Sequence, residues 1–132
     1  MILVDTSVLM GYLSGSTGLL YTKMNYIIDN DIPYGICPYV YQELLQGSAD
    51  EREYGVLKEY LNTLPFYDLQ YGKESFEKAA HMYVNCRKKG IRIRNTVDLL
   101  IAEIAIENNL YLFHNDADFT KIAKVYRSLK LY

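Results

Sequence analysis

The fold of this chain is decided by its opening stretch, Met1-Ile2-Leu3-Val4-Asp5-Thr6-Ser7. An apolar run without alternation predicts a short buried strand. Asp5 follows that run directly, and a carboxylate beside apolar core is costly unless it is paired, hydrogen-bonded or bound to a metal. Thr6 or Ser7 can cap a helix that continues to Leu13. The stretch therefore predicts a buried strand, a helix start and an acid at the junction between them.

Apolar strands and helices alternate along the rest of the chain. Further strands are predicted at 34–37 and 110–114, with a weak strand at 65–69 and a last one at 129–131. Helices are predicted over 19–28, 38–47, 50–61, 73–89, 96–106 and 118–123. The alternation predicts one α/β domain over residues 1–132, with three α/β/α layers around a central, mainly parallel sheet.

Two of these helices have informative patterns. The helix beginning at Asn95 or Thr96 is apolar nearly all round, which is typical of a central, buried helix. Its one polar stripe is shared by Glu103 and Glu107, four residues apart. The long helix at 73–89 has several apolar residues on one face. That face carries Phe76, Ala80, Tyr83 and Val84.

The composition excludes several classes of protein. The net charge of −2 means that no global basic field favours nucleic-acid binding, although a local patch can. Cys37 and Cys86 are far apart and no Cys/His ligand spacing exists, so neither a zinc site nor a disulfide framework is predicted. Reduced cysteines and the lack of a charged leader or a long apolar run favour a cytoplasmic protein without membrane segments.

Three more acids stand in apolar surroundings, as Asp5 does: Glu43, Asp98 and Asp116. Asp5 and Asp116 follow strands, while Glu43 and Asp98 are expected in first turns of helices, so all four face one edge of the sheet. Two carboxylates about 4 Å apart repel by roughly 4 kcal/mol at an effective dielectric constant of about 20. A divalent cation relieves that repulsion, and ligands that are all oxygen favour Mg²⁺ or Mn²⁺ over zinc.

Each acid also has an ordinary structural interpretation. Asp5 can cap a helix, and Asp98 can close a capping box with Asn95. Asp116 and Asp118 can cap the helix that follows them, and Glu43 can face solvent.

The acids and their neighbours, taken in order, resemble the PIN-domain nucleases, in particular the VapC-type toxins of bacterial VapBC toxin–antitoxin pairs. The resemblance runs nearly end to end. It is carried by Val4-Asp5-Thr6-Ser7-Val8, Glu43-Leu44, Asp98-Leu99-Leu100-Ile101-Ala102 and Asn115-Asp116-Ala117-Asp118-Phe119. One departure is His114, where such toxins usually carry Thr or Ser.

The resemblance implies Mg²⁺- or Mn²⁺-dependent hydrolysis of RNA that leaves a 5′-phosphate and a 3′-hydroxyl, and a separate antitoxin that neutralises the enzyme. The catalytic, metal-binding quartet would be Asp5, Glu43, Asp98 and Asp116. Asp118 matches a further acid beside the last of these. Candidates for hydrogen-bond partners of the carboxylates are Thr6, Ser7, Asn95 and Asn115.

A basic cluster, Arg87-Lys88-Lys89-Gly90-Ile91-Arg92-Ile93-Arg94, precedes the Asp98 helix and holds five cations in eight residues. Cations at a helix end complement its dipole, which is one interpretation. The other is a phosphate track that leads to the metal site. Arg92 and Arg94 are its best candidates for RNA contact, followed by Arg87, Lys88 and Lys89.

Other functions stay open at this point. An aspartyl-phosphate hydrolase of the haloacid dehalogenase kind also begins with a strand-end Asp, but needs a second Asp where Ser7 stands. A phosphoacceptor domain usually has a preceding acidic pair, which Met1 to Val4 lack. A PIN nuclease in RNA processing without an antitoxin, and an inactive PIN-like RNA- or protein-binding domain, are the remaining alternatives. Apolar and Tyr residues at 17–28 and 50–64 suggest a homodimer.

Overall fold

The computed structural model describes residues 1–132 and has a four-stranded sheet at its centre. The strands are β1 (Ile2–Val4), β2 (Tyr34–Gly35), β3 (Tyr111–Phe113) and β4 (Lys130–Leu131). The helices are α1 (Thr6–Leu13), α2 (Leu19–Asp29), α3 (Pro38–Gln46), α4 (Glu51–Leu61), α5 (Lys73–Lys88), α6 (Thr96–Glu107) and α7 (Ala117–Val125). The helices pack in two groups, α1–α4 and α5–α7, as helical layers that flank a sheet do.

All pairs in the sheet are parallel, in the order β2-β1-β3-β4, which confirms the predicted α/β class. The chain moves from β1 to one neighbour, β2, and later returns to the other side of β1 as β3. The crevice between the carboxyl ends of β1 and β3 is therefore a topological switch point, where open parallel sheets place their ligand sites. Val4 lies opposite Phe113, and the Asp5 N–H donates to the Phe113 carbonyl at 2.9 Å.

The weak strand predicted at 65–69 is wrong. Only Phe66 pairs with the sheet, opposite Ile36, through the Ile36 N–H to Pro65 O (3.0 Å) and the Tyr67 N–H to Ile36 O (2.8 Å). The segment runs so close to Gly35 that a Cβ there would lie 2.4 Å from the Pro65 carbonyl oxygen. Pairing stops because the chain turns at Cys37 into α3, so no ladder can continue.

Helix α6 is buried at the centre, as predicted, with seven buried residues that include Asp98 and Glu103. The face of α5 that carries Phe76, Ala80, Tyr83 and Val84 is not its buried face. The buried residues of α5 are Ser75, Ala79, Met82 and Cys86, while Phe76 is 51% exposed. Packing against α6 selects this face, because the Ser75 hydroxyl donates to Glu107 from it.

Both cysteines are buried and free. None of the helices has the length and apolar character needed to cross a membrane. The cytoplasmic location and the extent of the domain stay predictions.

Candidate metal centre

Three carboxylates meet at the switch point: those of Asp98, Asp116 and Asp118, whose ligand oxygens lie within 4.8 Å of one another. Asp98 is in the first turn of α6, Asp116 caps α7, and Asp118 is in the first turn of α7. The positive ends of two helix dipoles therefore meet at the cluster and favour negative charge there. The three oxygens are close enough to share one small cation.

Asp98 is the acid with the greatest need for a cation. It is 8% exposed. Burial raises its pKa to about 7, with repulsion from Asp116, Asp5, Asp118 and Glu43 adding to the shift. Every major contribution to this pKa raises it, and the Asp98 carboxylate belongs to none of the three ion pairs of the structure.

Asp5 is held at the end of β1 by Ser7. Asp5 is 6% exposed, and its Oδ2 accepts hydrogen bonds from the Ser7 N–H (3.1 Å) and from the Ser7 hydroxyl. The same hydroxyl accepts from the Asn115 N–H at 2.9 Å, so it joins the ends of β1 and β3. Burial raises the pKa of Asp5, although the Ser7 hydrogen bonds oppose the shift.

Glu43 lies in the second turn of α3, not in the first turn as predicted. Burial raises its pKa and the charge of Asp5 raises it further, while the nearby Thr6 hydroxyl lowers it. Thr6 Oγ1 is nevertheless buried without a hydrogen bond of normal length and angle. Because buried hydroxyls nearly always have partners, this orphaned oxygen fits a site completed by a bound ion and its water.

Asp118 is almost completely buried and is the acid that the protein itself neutralises. Its Oδ2 accepts from the Arg94 N–H at 3.3 Å and lies 3.7 Å from the Arg94 Nε. Its Oδ1 lies 3.4 Å from the Lys121 ammonium. Arg94, which the sequence predicts to contact RNA, therefore also contacts the cluster, although its side chain is 75% exposed.

Asp116 and Asp5 can each cap a helix and still bind a metal. Asp116 caps α7 through Oδ1, which accepts the Asp118 N–H at 2.9 Å, and Asp5 uses Oδ2 alone to cap α1. Each acid keeps its second oxygen for another ligand. The Asn95 side chain caps α6 by accepting from the Val97 N–H at 3.0 Å. The Asp98 carboxylate does not accept from the Asn95 N–H in return, so the capping box is incomplete.

Two other residues near Asp116 contribute to its position. His114 Nδ1 accepts the Asp116 N–H at 3.1 Å, so the neutral imidazole carries its proton on Nε2. Burial lowers the pKa of His114, although the charges of Asp5 and Asp116 oppose the shift. The backbone N–H of Asn115 donates to the Ser7 hydroxyl.

A second acid pair, of which Glu103 is buried and Glu107 half-buried, lies at the far end of α6, where the sequence predicts only a polar stripe. Glu103 is 5% exposed, and burial together with its hydrogen bond to Glu107 raises its pKa to about 7. Glu107 accepts from the Gln70 N–H (2.7 Å) and the Ser75 hydroxyl (3.0 Å). The only sequence signal for the pair is two acids on an otherwise apolar helix.

The fold and this site define a parallel α/β protein with an acidic cluster at the switch point of its sheet. The PIN domain family model matches residues 2–125, and the chain belongs to that family. The aspartyl-phosphate hydrolase and phosphoacceptor interpretations are thereby set aside.

Relatives and solved structures agree with this assignment. "VapC ribonuclease Mb1587" of Mycobacterium bovis and "Ribonuclease VapC11" of Mycobacterium tuberculosis are each 29% identical over 126 residues, which cover 95% of this chain and 93% of theirs. The fold is similar to VapBC2 from Rickettsia felis bound to a promoter DNA fragment (TM-score 0.74, 22% identity, 100% and 98% of the chains covered). It is also similar to VapBC-1 from nontypeable Haemophilus influenzae (TM-score 0.71, 20% identity, 100% and 97% covered).

Proposed function

We propose that this chain is a metal-dependent endoribonuclease that hydrolyses RNA phosphodiester bonds, and that it is the toxin of a toxin–antitoxin pair. One observation carries the nuclease proposal: the nearly buried Asp98 carboxylate stands among four other acids without a donor or a cation of its own. Membership of the PIN domain family supports it, as do relatives named as ribonucleases.

Mg²⁺ or Mn²⁺ is the ion that we propose for this centre. Asp98, Asp116 and Asp118 would hold it, because ligand sets of oxygen alone suit these ions. Asp5 and Glu43 complete the acidic surroundings from β1 and α3. When bound, such an ion lowers the pKa of coordinated water and stabilises the negative charge on the phosphate.

The protein's own residues supply position and proton transfer. Ser7 fixes Asp5 at the switch point through its two hydrogen bonds. The raised pKa of Glu43 brings this group closer to neutral pH, which suits a residue that accepts a proton from attacking water. Arg94 and Lys121 neutralise Asp118, so the negative charge of the cluster is concentrated on the remaining acids.

Cleavage of purified RNA tests the nuclease proposal. The wild-type protein is expected to cut RNA with Mg²⁺ or Mn²⁺, to stop when a chelator is added, and to leave 5′-phosphate and 3′-hydroxyl ends. Asp5→Asn is expected to lose most of this activity. The matched control is Asp31→Asn, because Asp31 is exposed, lies outside the cluster and has a left-handed backbone (φ 51°) that Asn also adopts. Cleavage that continues undiminished in chelator would contradict the proposal.

The antitoxin proposal has its own structural support. An apolar groove of about 540 Å³ lies between α1, α3 and α4. Met10 (50%), Leu13 (43%) and Val56 (64%) are strongly exposed around it. Exposed apolar patches of this kind mark protein contacts, and a partner's amphipathic helix is a common occupant of such a groove. We propose that an apolar segment of the antitoxin binds here, because similar solved structures are VapBC complexes.

Co-purification with the small protein encoded by the neighbouring reading frame tests this contact. Val56→Asp is expected to abolish co-purification, because a charge would be buried in the groove. Leu19→Asp is the matched control, since Leu19 is 79% exposed but lies outside the groove. Equal retention of the partner by both variants would contradict the proposal. If the groove instead binds a second copy of the chain, Val56→Asp would convert a dimer to a monomer on gel filtration.

A further inference from the structure

Two shallow pockets lie beside the metal centre, and Tyr83 and Arg92 line both of them. The larger, of about 630 Å³, is completed by Ile93, Arg94 and Thr96. The smaller, of about 330 Å³, is completed by Arg87, Gly90 and Ile91. No acid lines either pocket, although the chain as a whole has a net charge of −2. This surface is therefore a local exception to the charge of the protein.

The segment that forms these pockets is held in a defined shape. Gly90 adopts a left-handed backbone (φ 74°) just after α5, and its N–H donates to the Arg87 carbonyl at 3.0 Å. The Ile91 N–H donates to the Cys86 carbonyl at 2.9 Å, which completes a Schellman motif. Ile93 is 4% exposed and anchors the segment in the core. Arg92 and Arg94, on either side of Ile93, are consequently left exposed.

The cations of this surface differ in their partners. Arg94 pairs with Asp118 and so connects the larger pocket to the metal centre. Arg87 and Arg92 pair with no carboxylate, since Arg94 is the one arginine among the three ion pairs of the structure. The Arg87 guanidinium carbon lies 5.6 Å from the centre of the half-buried Tyr83 ring. An aromatic ring beside unpaired cations is the combination that binds single-stranded nucleic acids, with bases on rings and phosphates on cations.

We infer that Tyr83 is a base-stacking residue for single-stranded RNA, with Arg92 and Arg87 holding phosphates next to the stacked nucleotide. The RNA then runs from the smaller pocket across Tyr83 to the larger pocket and so to the metal centre. The inference rests on the proposed nuclease function, and it adds contact with a base to the phosphate contacts of the arginines. Stacking tolerates any base, so Tyr83 contributes affinity and position and leaves sequence choice to other contacts.

Binding of an unstructured RNA oligonucleotide tests the role of Tyr83. The measurements use the Asp98→Asn variant in chelator, so that no RNA is cut. Tyr83→Leu is expected to weaken binding roughly tenfold, and Tyr83→Phe to keep it, because stacking needs the ring and not the hydroxyl. Tyr111→Leu is the matched control: its ring also faces a cation, Lys130 at 5.4 Å, and is itself exposed, but it starts β3, away from the switch point.

Salt dependence separates the ring from the cations. Tyr83→Leu is expected to leave the log–log salt slope unchanged, because stacking releases no counterions. Arg92→Ala is expected to make the slope shallower by about 0.7 for one lost single-strand phosphate contact. An oligonucleotide with abasic positions is expected to bind wild-type Tyr83 and Tyr83→Leu equally.

Two results would overturn the inference. One is a loss of affinity in Tyr83→Leu that Tyr111→Leu matches. The other is an equal loss for intact and abasic RNA, which would mean a structural role. Failure of the proposed nuclease function is a different result: the wild-type protein would then cut no RNA with Mg²⁺ or Mn²⁺. Unchanged RNA binding in Tyr83→Leu by a protein that does cut RNA refutes only the role of Tyr83.

Discussion

The two ends of helix α6 each bury a carboxyl group, and the two sites differ in how that burial is compensated. Asp98 at the first end and Glu103 near the other are 8% and 5% exposed, and each has its pKa raised to about 7. Beside Glu103 lies the Glu107 carboxyl group, whose Oε1 accepts from the Gln70 N–H and the Ser75 hydroxyl, so a single proton on Glu103 can serve both acids. Around Asp98 four other acids raise the pKa further, and the carboxylate has no ion pair of its own.

The difference shows that a raised pKa alone does not identify a metal site. One shared proton compensates a pair of carboxyl groups, because one acid donates to the other. It cannot compensate five acids, and near neutral pH a divalent cation is the available remedy. The helix dipole reinforces the contrast, since it favours negative charge at the first end of α6 and opposes it at the last.

The largest expected effect is on catalysis. Asp98→Asn should lower the metal-dependent rate of RNA cleavage by about 100-fold or more, which corresponds to about 2.7 kcal/mol of transition-state free energy. Glu103→Gln should cleave at close to the wild-type rate, because its pair serves the fold alone. Initial rates on the same RNA provide the comparison. Similar losses of cleavage rate in both variants would mean that Glu103 is as important for cleavage as Asp98, which contradicts the assignment of the metal to the Asp98 end.

Metal binding should stabilise the protein through the Asp98 end of α6 and not through the Glu103 end. At free Mn²⁺ of about 100 times its dissociation constant, the free energy of unfolding should rise by about 2.7 kcal/mol. Glu103→Gln should show the same rise, and Asp98→Asn a much smaller one. Without metal, Asp98→Asn should be more stable than the wild type, because a source of repulsion is removed. Thermal melting with and without Mn²⁺ measures both effects, and an equal metal response in Asp98→Asn would contradict the assignment.

Stability should depend on pH through the Glu103 pair. The folded-state pKa of Glu103 is raised above its unfolded value, so the folded state binds more protons and stability falls as pH rises from about 4.5 towards about 7. Burial acts to raise the pKa of Glu107, but its hydrogen bonds outweigh burial and lower it. Glu107 therefore adds stability above its unfolded pKa, and that contribution is lost as pH falls.

Glu103→Gln isolates the first of these effects. Its amide donates to Glu107 at any pH, so the fall in melting temperature between pH 5 and pH 8 should be smaller than in the wild type. The Asp98 carboxylate is unchanged in both proteins and cancels in the difference. Parallel curves for the two proteins would show that the pair shares no proton.

The smallest expected effect is at Ser75. Ser75→Ala removes one donor to the Glu107 carboxylate and the acceptor of the Tyr71 N–H, while the Gln70 N–H remains, so the free energy of unfolding should fall by about 1–2 kcal/mol. The RNA cleavage rate and the metal response should not change. The control is Ser128→Ala, because Ser128 is exposed and donates to neither acid. A loss of metal response in Ser75→Ala would mean that the two ends of α6 are coupled.

Much of the fold follows from local patterns. The apolar run at 2–4, the nearly uniform apolar character of α6 and the turn residues between elements predict the strands, the helices and the parallel sheet, because each depends on a short stretch. The segment at 65–69 and the buried face of α5 could not be predicted in the same way. They depend on which neighbour each element packs against, namely Gly35 in one case and Glu107 in the other.

By itself, the sequence determined that acids stand at the carboxyl ends of β1 and β3 and at the start of α6, because strand ends and helix starts are local features. Only the tertiary structure decided that Asp98, Asp116 and Asp118 lie within 4.8 Å, and that Arg94 reaches Asp118. It also decided that Glu103 is buried beside one other acid, Glu107, while Asp98 is buried among four. The reason is physical: burial and charge repulsion act through space, between residues that the chain order keeps apart.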